Sequence, residues 1–162
     1  AMKQQVGLDF ELYVQAIFED REVPVFETPT TNDFGADLVL YRHGKVAVIQ
    51  CKYHSAPIGI HAVQEVVGAI KHYHAGAGIV ISNQPFTRQA IALAQSNHVL
   101  LIDGQRLQEI VNAVSDELPY IDDFLLGLQN KEPAPPELQK VLFPIRVRRA
   151  CKKPLWVRLH RL

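Results

Sequence analysis

The stretch NDFGADLVLYRHGKVAVIQCK, Asn32 to Lys52, decides the fold. Two β-branched, apolar runs, ADLVLY and KVAVIQCK, flank RHG and predict a β-hairpin. A two-residue turn at His43-Gly44 and a four-residue loop from Arg42 to Lys45 give the same pairing, in which partner numbers sum to 87. That register sets Asp37 across from Gln50, with facing Cβ atoms about 5 Å apart. The two-residue strand period then puts Gln50 and Lys52 on one face, and Cys51 on the other, in packing. Three polar side chains therefore meet at the open end of an otherwise apolar hairpin, where burying them costs free energy unless they are paired or bind something.

Outward from the hairpin, helices and strands alternate. GLDFELYVQAIFEDR carries apolar residues at helical spacing and predicts a first helix bearing Glu11. Val23–Glu27 reads as a short strand, with Pro24 suited to its start or to an edge. Gly35 allows a tight turn or a close approach just before the hairpin. After it come a helix over Ile60–Ala75 stopped by Gly76 and Gly78, a strand AGIVIS, a helix Thr87–Ser96 capped by Thr87, a strand VLLI, and a helix from Gln105 to Val114. Helices between the later strands predict an α/β fold with those strands parallel. DELPYIDDFLLGLQ suits a short amphipathic helix, and NKEPAPPE a proline-rich hinge.

The chain of 162 residues has the length of one ordinary domain, and 48% hydrophobic residues suffice for a core. Net charge is zero, which points to neither nucleic acid nor membrane, but the average hides an asymmetry. Asp103–Glu137 holds eight acidic and two basic residues, whereas residues 138–162 hold eight Lys or Arg and no acid. No apolar run reaches membrane-spanning length, and no secretion signal opens the chain. Two cysteines, Cys51 and Cys151, in unlike settings suggest no disulfide framework, which fits a reducing cytoplasm.

As chemistry, Asp37 offers an anionic oxygen, Gln50 a neutral one, and the Cys51 carbonyl a third, a set suited to a hard cation such as Mg²⁺. Lys52 is placed to orient or help deprotonate an attacking water and to offset charge growing on phosphorus. The plainer alternative is an Asp37–Lys52 ion pair closing the sheet end. Glu11, and Glu65 on the second helix, are candidates for outer positions. His54, His61 and Arg88 flank the site and are candidate water or DNA contacts, although a solvated surface cation is the simpler account of Arg88. His72, Tyr73 and His74 lack the spacing of a metal pair on one helical face. Ser82 and Asn83, where strand becomes loop, line the cleft or cap a turn.

The helix bearing Glu11, then GAD, then VIQCK, followed by GIVISNQPFTRQA and VLLIDGQRL, resembles the catalytic domain of Mrr-type restriction endonucleases, within the PD-(D/E)xK nuclease superfamily. The resemblance runs from Val6 to Val111 and implies a restriction-endonuclease-like three-layer α/β/α core with a mixed central sheet of about five strands. It implies Asp37 and Gln50 as metal ligands, Gln50 replacing the commoner acid, Lys52 as catalytic lysine and Glu11 as the helix-1 acid. It further implies Mg²⁺-dependent cleavage of DNA, with Mn²⁺ substituting, to 5′-phosphate and 3′-hydroxyl ends. Cutting both strands needs two centres, hence a homodimer. Alternatives are a non-catalytic DNA-binding or assembly domain on the same fold, and a Holliday-junction or other structure-specific nuclease. The expected organisation is a nuclease domain over 1–114, an acidic and proline-rich connector over 115–137, and a basic arm over 138–162. Arg146, Arg148, Arg149, Lys152 and Lys153 of that arm suit either phosphate contacts or a packed extension that covers a sheet edge or pairs with another subunit.

Overall fold

The computed structural model describes residues 2–29, 34–114 and 116–128. The basic arm with its five candidate cations lies outside the described residues, as do 129–137 of the connector. The elements are α1 (Met2–Glu19), β1 (Val25–Glu27), β2 (Leu38–Arg42), β3 (Lys45–Lys52), α2 (Ile60–His72), β4 (Ala77–Ser82), α3 (Arg88–Ser96), β5 (Val99–Ile102), α4 (Gly104–Asn112) and α5 (Ile121–Gly127). The five strands form one sheet in the order β1-β2-β3-β4-β5. β1, β2 and β3 run antiparallel, and β3, β4 and β5 parallel, so the sheet is mixed as expected.

The hairpin has the predicted register: Leu38 faces Ile49 and Arg42 faces Lys45. His43 and Gly44 both take positive φ, 53° and 69°, the two-residue turn whose twist matches that of the strands it joins. At the open end the ladder departs from regularity. Asp37 precedes β2, and its N–H donates to the Ile49 carbonyl at 2.8 Å.

Strand alternation sorts the core into two layers of side chains. Leu38, Leu40, Ala47, Ile49, Ile79, Ile81 and Ile102 pack on one face with Phe10, Val14 and Phe18 of α1 and with Leu107 and Ile110 of α4. Val39, Val48, Val80 and Val99 pack on the other with Val63 and Val66 of α2 and Ala90 and Ala94 of α3. Each strand therefore reads apolar on both sides, because helices cover both. The result is the three-layer α/β/α core. Leu118, Ile121 and Leu125 are fully buried in the α1 layer, so packing continues past residue 114 through α5.

Some boundaries differ from expectation. α1 starts at Met2, and β1 is shortened to Val25–Glu27, with Val23 buried in the turn after α1. α2 ends at His72 rather than Ala75, and glycine is not what stops it. His74 takes φ 50°, the Ala75 N–H bonds the Ile70 carbonyl and the His74 N–H bonds that of Lys71, a Schellman closure with histidine in the left-handed position. Gly78 lies inside β4. Thr87 caps α3 as predicted, its hydroxyl accepting from the Ala90 N–H at 3.2 Å. α4 runs Gly104–Asn112, with Asp103 as the cap, accepting from the Arg106 N–H at 2.9 Å.

Candidate active site

The C-terminal ends of the parallel strands β3 and β4 lie side by side, Gln50 beside Val80 and Lys52 beside Ser82. In open α/β sheets this is the edge where ligands bind, because the chain leaves it in loops. Asp37 is brought there by its main chain. Its carbonyl accepts from the Thr28 N–H at 2.9 Å, while the Thr28 hydroxyl, itself buried, donates to the Ala36 carbonyl at 2.6 Å. With its own N–H on Ile49, Asp37 is fixed from both neighbouring strands. Its carboxylate Oδ2 accepts from the Cys51 N–H at 2.7 Å, which sets the acid against the end of β3.

Gln50 is 7% exposed, and its Oε1 has no hydrogen-bond partner. A buried acceptor left unsatisfied costs about 1–3 kcal/mol, so this oxygen asks for a ligand. Lys52 pairs with Glu65 of α2, Nζ to Oε2, at 2.6 Å. This pair with α2 stands apart from the Asp37–Lys52 alternative weighed on the sequence. Gly35 brings α2 in: at φ +85° it lies so close that an added Cβ would come 2.4 Å from the Glu65 carbonyl oxygen. Cys51 sends its side chain into the α1 layer. Burial pushes its thiol well up, the carboxylates of Asp37 and Glu11 push it further, and Lys52 opposes them. Asp37, Glu11 and Lys52 therefore act on one point, which brings the α1 acid to the hairpin end.

The main chain of His54 is fixed from β4. Its N–H donates to Asn83 Oδ1 and its carbonyl accepts from Asn83 Nδ2, both at 2.9 Å, while its ring Nδ1 accepts from the Ala56 N–H. Asn83 thus clamps the loop after β3 to the end of β4, a role sequence leaves open because only the parallel pairing brings residues 29 apart together. Ser82 is buried, and its hydroxyl accepts from the Gln84 N–H at 3.0 Å, a turn cap. His61 and Arg88 are exposed, in the first turns of α2 and α3. The His72 ring stacks on Phe34, with centroids 3.6 Å apart.

Among the described residues no three His, Cys, Asp or Glu side chains converge as a metal centre. The donors at this end of the hairpin are the Asp37 carboxylate, held on the Cys51 N–H, and the orphaned amide oxygen of Gln50, hard oxygens of the kind that fits Mg²⁺ or Mn²⁺ rather than a soft metal.

Residues 2–111 match the family model Mrr_cat, described as restriction endonuclease. The chain belongs to this Mrr-type restriction endonuclease family. A search of curated proteins returned no match. Among solved structures, the DNA modification-dependent restriction endonuclease AspBHI is 18% identical, with a TM-score of 0.49 over 74% of this chain and 35% of that one. The MspJI restriction endonuclease, solved in complex with a 27-mer oligonucleotide, is 16% identical, with a TM-score of 0.48 over 81% of this chain and 35% of that one. A repair endonuclease from Pyrococcus abyssi is 18% identical, with a TM-score of 0.43 over 56% of this chain and 44% of that one. Each match thus spans less than half of the other protein. The Mrr-type match ends at residue 111, before α5, although α5 shares the core. No helix of the described residues is long and apolar enough to cross a membrane.

Proposed function

We propose that the chain is a metal-dependent endonuclease that hydrolyses DNA phosphodiester bonds at the end of β3. The observation that carries this is the buried, unpartnered Oε1 of Gln50 one residue before Cys51, whose N–H anchors the carboxylate of Asp37. Asp37, Gln50 and the Cys51 carbonyl are the ligands for Mg²⁺, with Mn²⁺ substituting. The bound ion supplies Lewis-acid polarisation of the phosphate and a lowered pKa for water.

The chain's own residues supply the rest. Lys52, held by Glu65, lies at the cleft end of β3 to orient the attacking water and offset charge on the phosphate. Glu11 stands behind as an outer acid, its field already felt at Cys51. In-line attack of water leaves a 5′-phosphate and a 3′-hydroxyl. Asp37→Ala and Lys52→Ala should each lower cleavage of duplex, methylated, single-stranded or junction DNA by at least about 100-fold. Undiminished cutting by both variants would remove the site assignment, and DNA binding without cutting by the wild type would favour a binding module.

DNA as partner, a homodimer as the cutting unit and the 138–162 arm as a phosphate contact belong to the same proposal, with the core and the connector preceding that arm. Each phosphate contact contributes a slope of about −0.9 in log K against log salt. Truncation after Glu137 should weaken DNA binding and flatten that slope. Monomers with an unchanged slope would make the arm a subunit interface instead.

A further inference from the structure

A cavity of about 520 Å³ opens on the other side of the β3 end, between α1 and α4. Its volume falls in the roughly 300–1,000 Å³ range of pockets that hold small-molecule-sized groups. Tyr53 forms one wall. It is the residue after Lys52, 51% exposed, and its ring meets that of Phe10 at 5.6 Å and an interplanar angle of 56°. Phe10 is buried and touches Tyr13, which also lines the cavity. Tyr53 is thus braced from behind by a core aromatic while half its surface stays open. Lys52 reaches α2 whereas Tyr53 reaches α1, so the candidate catalytic group and the cavity straddle the end of one strand.

The charge on the walls selects the occupant. Among the described residues no Lys or Arg lines the cavity, whereas Asp9 does, which disfavours a phosphate against these walls. A planar, neutral group with amino donors suits an aromatic wall, the Asp9 carboxylate and the Gln108 amide. On the endonuclease reading above, the phosphate at Asp37 and Lys52 brings such a group with it.

We propose that this cavity receives the base of the nucleotide adjoining the scissile phosphate, unstacked from its neighbours and laid on Tyr53. A paired base would have to leave its stack, at a cost of a few kcal/mol, and an unpaired or mismatched one does not. The cavity therefore favours DNA with an unpaired nucleotide next to the cut.

The test uses the full chain and an oligothymidylate of about ten nucleotides carrying one central 2-aminopurine, in Ca²⁺ to hold back cleavage. Wild type should quench the 2-aminopurine. Tyr53→Ala should lose the quench and bind roughly 5- to 100-fold more weakly, the range for one base–aromatic stack, whereas Tyr53→Phe should retain both. Gln108→Trp, at an exposed position on the rim, should block the cavity and lose the quench as well. An abasic residue in place of the 2-aminopurine should weaken binding by wild type but not by Tyr53→Ala. Wild-type quench and affinity in both Tyr53→Ala and Gln108→Trp, or equal wild-type affinity for the abasic strand, overturns the base site. In a separate cleavage assay with Mg²⁺, undiminished cutting by Asp37→Ala overturns the endonuclease site instead, and leaves a Tyr53-dependent quench standing.

Discussion

At Gln50 the chain carries an amide where the family resemblance implies that a second carboxylate is commoner, and charge predicts what that exchange does. Two carboxylates at the end of β3 would repel one another without a cation, and one of them would hold its proton near neutrality. With Gln50 neutral, the empty-handed cost is one orphaned oxygen. On the proposed metal site the missing charge lowers affinity for the ion, since ligand charge sets much of it. Gln50→Glu should bind Mn²⁺ roughly tenfold more tightly by calorimetry and gain more thermal stability from the ion than wild type does. Equal affinities would mean that Gln50 does not touch the metal. The residue types here, and the hairpin register from Leu38↔Ile49 inward, are legible in the sequence because strand period and turn length fix both, whereas the departure at Asp37, whose N–H bonds the Ile49 carbonyl, is not. The Lys52–Glu65 pair is not, since it depends on how α2 lies across the sheet.

Gly35 decides that lie at the scale of the element. It joins two constraints, a left-handed φ and contact with the main chain of α2 at Glu65, and a side chain violates both. Gly35→Ala should destabilise the fold by more than about 2 kcal/mol in denaturant titration, and should lower activity further by moving Glu65 away from Lys52. If stability changes by less than about 0.5 kcal/mol, the approach of α2 is softer than the geometry implies. The sequence marks Gly35 as a place for a turn or a close approach. It does not say what is approached, because Glu65 is thirty residues further along. α2 shows the reverse: its apolar stripe is readable, but its end is set by His74, a residue type with no strong preference for the left-handed region, held there by the return of the chain to β4.

For the molecule as a whole, the segment 116–128 acts as a strap across the hairpin tip. Arg42 and His43 both bond the Asp122 carboxylate, Arg42 also reaches the Asp116 carbonyl at 2.9 Å, and Lys45 the Leu128 carbonyl at 3.3 Å. Burial pushes the Asp122 carboxyl up, but the hydrogen bonds from Arg42, the Leu118 N–H and His43 outweigh it and hold the group at about 2, below its ordinary 3.8. A carboxyl depressed on folding stabilises above its unfolded pKa and loses that contribution as pH falls through the folded one. Asp122→Asn should therefore cost about 1–2 kcal/mol at pH 7, and the gap to wild type should close between about pH 4 and pH 2. A gap independent of pH would assign the loss to packing.

By itself the sequence determined the strands, most of the helices, the hairpin register and the oxygen donors at its end, because each follows from local period, turn chemistry and residue type. Only the tertiary structure decided that Lys52 answers to Glu65, that Asn83 clamps the loop after β3, that Tyr53 walls a cavity with Phe10, and that Leu118, Ile121 and Leu125 belong to the core. These contacts join residues 13 to more than 80 positions apart, set by how whole layers pack, and no local pattern carries that information.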